Sequence, residues 1–456
     1  MFRSSRFATS RRALASRKPA LAGERLENRS MLAADDHGDD HGDDHGHSAD
    51  VHVHIEDNAL VTEHTAFGWD FEDEGGGFVA DIGFDADDQP EGTSLRLVPK
   101  TNLLFWNGLG STPTFSVVSG STQLQLEGYA GSRMDVSRGS ALGGFVTIGA
   151  EGQGVVHEHV AASIGSAPRG VYAFYASIES TASDPLAPTK PIAFVLNRGA
   201  SEAVHDRAIE ALEDRPIIVS ASCTTPNGTY KAGQTIDVAV TFSDDIIIRG
   251  KPQIILDVGG KGRLATYHSH DPETRTSTFR YTIARQDPVD ADGIGIGRAL
   301  RFVPGSSIRA VDGGAPVLSV LPQIDGSGVR IDTTVPRSTG IVSAVAAGNY
   351  TVGQVLEFRV NFSKPVVVTG SPRLEFVTNA NVRFAGNPEY VSGSNSSQLT
   401  FRYTVQAGDV ARNGVTLRRA FGLIGATVQD SLQNPAQFGV GRVTFGTLRV
   451  RPPAPA

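Results

Sequence analysis

Cysteine is nearly missing: Cys223 is the only one in 456 residues. An intrachain disulfide is therefore impossible, and a thiolate zinc cluster is excluded. A lone thiol of this kind reads as a small buried side chain. No stretch approaches the roughly 20 consecutive apolar residues of a membrane-crossing helix, so no membrane span is expected. Aromatics amount to 7% with two Trp, which gives no indication of a sugar-stacking platform. Positive charge is missing locally. Between Asp35 and Glu91 there are nineteen Asp or Glu and no Lys or Arg, whereas residues 1–30 hold eight Lys or Arg against two Glu. Phosphate recognition needs cationic groups, so nucleic acid is excluded as a partner of the acidic block and divalent cations are its natural partners.

What is abundant points to β structure. Gly 51 and Pro 24, with many Thr, Val and Ser, describe an all-β chain with many turns. The length suggests about three domains, each able to bury a core. Residues 1–34 are a basic leader in which Arg3, Arg6, Arg11, Arg12, Arg17 and Lys18 are not followed by the apolar run of a secretory signal. Residues 35–50 carry DDHG three times with Gly every fourth position. Such a tract cannot bury enough apolar area to offset the entropy of ordering, and disorder is expected.

From Val51 to Asp214 short apolar stretches alternate with Gly turns, as in SLRLVP, NLLFWNG and GVYAFYASIE. This is the rhythm of a β-sandwich or jelly roll. In SEAVHDRAIEAL, Ser201 to Leu212, apolar residues fall at helical spacing, so one short helix closes the domain.

After Arg215 the chain repeats itself. Ala232 onward aligns on Val352 onward at an offset of 120, and FRYTI at Phe279 matches FRYTV at Phe401. Ile236, Val238, Val240 and Phe242 alternate with polar residues, as do Leu356, Phe358, Val360 and Phe362. Two tandem immunoglobulin-like sandwiches follow, over 215–335 and 336–451, with 452–456 as a tail.

Three resemblances bear on the role. LENRSMLAAD from Leu26 resembles the LEPR-x-L-L sorting motif of bacterial surface proteins, with Asn28 for its Pro and Met31 for one Leu, which implies export and removal of the leader near Ala33 or Ala34. The two repeats resemble the SwmB-type bacterial immunoglobulin-like repeats through LDVGG at Leu256, RQDPVDADGI at Arg285 and VQAGD at Val405; members of that family mostly act as spacers or adhesive modules. The region from Phe67 to Leu212 is similar to a zinc-associated family of bacterial surface-anchored proteins. The likeness rests on NLLFWNG, GFVTIGAEGQGVVHEHV, GVYAFYASI and FVLNRG, with an H-x-H pair before the G-x-Y strand. No PEP-CTERM segment follows Arg451, where the chain reads RPPAPA, so anchoring by that route is not expected. Together these imply an extracellular or cell-surface location.

The candidate chemistry lies in histidine. His37, His41, His45 and His47 sit among acids in the tract, and VHVHIE and VVHEHVAA supply His52, His54, His157 and His159. Imidazole suits Zn²⁺, and residues i and i+2 of a strand share a face about 6.6 Å apart, so two rings can converge on one ion. If the two H-x-H strands were neighbours, four imidazoles would face one another. DPVDADG places Asp287, Asp290 and Asp292 in a Gly-ended loop that reads as a Ca²⁺ site or as a plain polar turn, since EF-hand spacing is absent. HSHD at His268 is expected in an exposed loop.

No G-x-S-x-G elbow, phosphate loop or H-E-x-x-H is present. His54-Ile55-Glu56 opens a deaminase signature whose cysteine half is impossible here. The expectation is a non-enzymatic protein that binds divalent metal, zinc first, with the repeats as spacer. The alternative is a structural or adhesive surface protein with no specific metal role, engaging cell-surface components or other surface proteins.

Overall fold

The structure, a computed structural model, describes residues 50–86, 89–90, 93–118, 122–136, 144–149, 156–182, 186–311 and 314–451. The leader, nearly all of the tract with His37, His41, His45 and His47, and the tail lie outside them. The all-β expectation holds: among the described residues there is one α-helix, Glu202–Leu212, where the periodicity placed it, and every other long element is a strand.

The first domain is two facing sheets of seven strands. One runs Arg133–Val136, Leu124–Glu127, Val156–Ile164, Phe78–Ala86, Val51–Glu56, Ala59–Thr62, with Glu72–Asp73 also on Phe78–Ala86. The other runs Val146–Thr147, Leu95–Pro99, Gly170–Ser180, Ile192–Arg198, Ala66–Asp70, and carries Leu104–Trp106 and Ser116–Val117 on the side. Between them Ile82, Phe84, Leu126, Val160, Phe174 and Phe194 are fully buried. Phe84 meets Phe194 across the core at 6.1 Å between ring centroids.

The outer faces differ, and the difference is written in the strands. Gly170–Ser180 and Ile192–Arg198 are apolar without alternation and buried on both faces. Helix residues Ala208 and Leu212 cover the outside of that sheet, joined by Ile217 and Leu318 at the first repeat. Gly68 makes the close approach possible, since a Cβ there would lie 2.4 Å from Ile209 Cδ1. In the opposite sheet, Val51–Glu56 and Val156–Ile164 alternate buried with exposed residues, so the outer face meets solvent.

The internal duplication appears in detail. The first repeat holds a six-stranded antiparallel sheet and two two-stranded ribbons; the second holds an eight-stranded and a four-stranded sheet. Ile236, Val238, Val240 and Phe242 bury their side chains, as do Leu356, Phe358, Val360 and Phe362. A register shift at Ile218/Ser220 recurs at Ser338/Gly340. The Tyr230 hydroxyl donates to the Pro226 carbonyl at 2.6 Å, and Tyr350 to Ala346 at 2.7 Å. Lys364 fastens one repeat to the next, donating to Asp332 Oδ2 at 2.8 Å and pairing with Asp430 Oδ2 at 2.9 Å. The His268 segment differs from expectation: it forms the end of the strand Lys261–Asp271, not a loop. The hairpin with Thr276–Thr282 extends past Tyr267 through a bulge.

Candidate metal centre

The solvent face of the first sheet collects histidines and carboxylates through strand register. Val51 pairs with Phe84 in parallel, and His157 and His159 pair with Asp85 and Gly83 in antiparallel. One row across the sheet therefore reads His52, Asp85, His157. The row before it reads Asp50, Gly83, His159. Glycine in the middle of the second row decides what can happen there. The Asp50 carboxylate lies over Gly83, where a Cβ would come within 1.7 Å of Asp50 Oδ1.

Asp50, His157 and His159 each offer a donor atom, and these atoms all lie within 4.8 Å of one another. The two rings stand edge to face, with centroids 5.5 Å apart. His157 Nδ1 lies 2.5 Å from Asp85 Oδ1 and 3.8 Å from Asp50 Oδ2. His159 Nδ1 lies 3.2 Å from Asp81 Oδ2, the diagonal neighbour one row further on. Each ring is thus held at Nδ1 by a carboxylate. Carboxylates oriented this way fix the tautomer and ring plane of ligating histidines. The adjacent Asp81 raises the His159 imidazole above its ordinary value, partial burial opposes the rise, and Asp50 and Glu158 add to it. Two imidazoles and a carboxylate form a donor set that suits zinc with a fourth position open. The His157 and His159 side chains are 63% and 44% exposed, so the site is open to solvent.

The two H-x-H strands are not neighbours. Phe78–Ala86 runs between them, which separates them by roughly 9.5 Å. Four imidazoles therefore do not converge. His52 reaches the same Asp85 from the other side, with Nε2 3.9 Å from Oδ2, while His54 lies one row beyond on the exposed face. His64 pairs with Glu213 at 3.2 Å, and buried His205 faces the Val195 carbonyl at 3.2 Å; both serve the fold. Asp50, Asp81, Gly83 and Asp85 escaped the sequence reading. Their signal was the alternation of FVADIGFDA, in which Asp81, Gly83 and Asp85 share the parity opposite to Ala80, Ile82 and Phe84.

The Asp287 loop is organised otherwise than as an oxygen cage. Asp287 is 3% exposed; it accepts hydrogen bonds from the Tyr281 hydroxyl, from the Ala284 amide at 2.8 Å and from Arg263 Nε at 2.5 Å. Asp409 does the same in the second repeat, binding the Tyr403 hydroxyl at 2.6 Å and the Gln406 amide at 2.7 Å. Asp290 accepts from the Gly259 and Gly293 amides, and Asp292 is exposed. The recurrence of the Tyr–Asp pair in both copies marks it as part of the repeat's frame.

Neither a protein-family model nor a curated protein matches this sequence. A solved structure of a Corynebacterium diphtheriae protein, described as membrane anchored, aligns over 85% of this chain and 92% of its own at 10% identity and a TM-score of 0.16. A likeness that slight carries no argument. No helix among the described residues is long and apolar enough to cross a membrane.

Proposed function

We propose that this chain is an exported, non-enzymatic surface protein that binds a divalent cation, zinc before others, through Asp50, His157 and His159. The observation that carries the reading is the convergence of those three donors within 4.8 Å on a solvent-facing sheet. The tract with His37, His41, His45 and His47 runs into Asp50, its last residue. It adds further imidazole and carboxylate donors beside that site. His52 and His54 flank the centre and extend its negative, imidazole-rich face. Export rests on the basic leader and its sorting-motif resemblance. The second reading, a structural or adhesive surface protein, draws on the duplicated repeats and their Lys364 joint.

Calorimetric zinc titration of a chain lacking residues 35–49 tests the first reading. Heat from one site is expected to persist; absence of heat overturns the ordered centre and confines binding to the tract.

The protonation of His159 adds a pH test. Zinc competes with a proton whose affinity Asp81 has raised, so binding should weaken as pH falls through a value above the ordinary 6.5 of histidine. Asp81→Asn should move that midpoint to lower pH, while lowering zinc affinity at high pH by about tenfold because ring orientation is lost. A pH profile identical in the two chains would contradict the assignment.

A further inference from the structure

Charge is distributed along this chain with opposite signs in its first domain and its second repeat. Residues 51–214 hold twenty-three Asp or Glu against eight Lys or Arg, a net of −15, and residues 336–451 hold five against twelve, a net of +7. In the second repeat part of this excess gathers on one sheet face. The four-stranded sheet runs Gly348–Tyr350, Leu448–Val450, Val410–Ala411, Val382–Arg383. Val382, Ala411, Leu448 and Val450 point into the core, so alternation puts Arg383, Arg412, Arg449 and Arg451 on the outer side, where all four are exposed. Ala411 pairs with Val450 in antiparallel, which sets Arg412 directly across from Arg449.

Like charges opposite one another weaken a sheet. Among the described residues none of the four guanidinium groups has a carboxylate or hydrogen-bond partner. The nearby acid, Asp409, is turned inward to Tyr403 and Ala385. Phosphate or carboxylate is the chemistry such a row of guanidinium groups recognises.

We propose that this face docks the acidic first domain of a second copy of the chain, head to tail. The complementary surface is on the page: Glu72, Asp73 and Glu74 are exposed at the side of the Phe78–Ala86 strand, and no Lys or Arg occurs from residue 51 to residue 95. Opposed fields of this kind steer association and set its register. Because the two surfaces differ, the contact is heterologous, so copies would add head to tail into rings or open chains.

The proposal does not rest on metal binding, and its test is run in chelator. Sedimentation velocity of the full chain over a wide dilution series is compared at about 0.01 M and about 1 M salt, where the Debye length is about 30 Å and about 3 Å. Concentration-dependent growth in mass is expected at low salt and its loss at high salt. Arg412→Glu with Arg449→Glu should abolish growth, as should Glu72→Lys with Asp73→Lys, and mixing the two variants should restore it. If the glutamate pair fails to fold, Arg412→Gln with Arg449→Gln carries the same expected loss. A monomer at every concentration, growth that survives the reversals, or a mixture that stays monomeric overturns the proposal. Salt-sensitive capture of polyphosphate by a chain that remains monomeric also overturns it, assigning the face to an anionic polymer.

Discussion

Replacing Asp287 with alanine is expected to destabilise the first repeat by about 3–5 kcal/mol, with calcium and chelator leaving that loss unchanged. The carboxylate is buried and accepts three hydrogen bonds, from Tyr281, Ala284 and Arg263. Its removal leaves the Tyr281 hydroxyl and the Ala284 amide without their acceptor. Burial alone would raise the Asp287 carboxyl, but the hydrogen bonds from Tyr281 and Ala284 and the Arg263 guanidinium outweigh it and hold the carboxyl below the usual carboxylate range. Burial, then the neighbouring Asp287, pushes Tyr281 up to about 12.

The sign follows from the depressed value. Stability from Asp287 is fully present above the unfolded carboxyl value of about 3.9 and is lost as pH falls through the lower folded value. Urea unfolding of the Asp287→Ala chain should therefore show the deficit at neutral pH and a smaller one in strong acid. A calcium-dependent midpoint in the unaltered chain would restore the cation reading of Asp287, Asp290 and Asp292.

Gly83→Ala should abolish the metal centre while sparing the fold. The new Cβ would fall on the Asp50 carboxylate, which is the free end of a side chain and can rotate away. The change in stability is expected to stay within about 1 kcal/mol. Zinc affinity, measured without residues 35–49, should fall by at least about a hundredfold, because loss of a ligand exceeds the tenfold to hundredfold loss seen when an orienting partner is removed. His157→Ala should do the same by removing one imidazole, with Asp85 left to His52 alone. Unchanged affinity in Gly83→Ala would place the metal elsewhere on the sheet.

Much of the architecture could be read from local pattern. Alternation at Ile236 to Phe242 and Leu356 to Phe362 fixed which side chains are buried, the offset of 120 exposed the duplication, and helical spacing located Glu202–Leu212. The site resisted for a physical reason. Asp50, Gly83 and His159 are far apart in sequence and meet only because two strands flank Phe78–Ala86 in a particular register. A single H-x-H pair states that two rings share a face, but it does not state which strand lies beside them. His52 and His54 look equivalent to His157 and His159 in the sequence, yet only the latter pair meets Asp50. His268 and His270 were misplaced because a bulge after Tyr267 prolongs the hairpin.

Anomalous diffraction at the zinc edge from zinc-soaked crystals locates the ion directly. A peak is expected between Asp50, His157 and His159, about 2.0–2.2 Å from their donor atoms. No peak there, with density instead at His52 and His54 or at none of these residues, would contradict the metal centre.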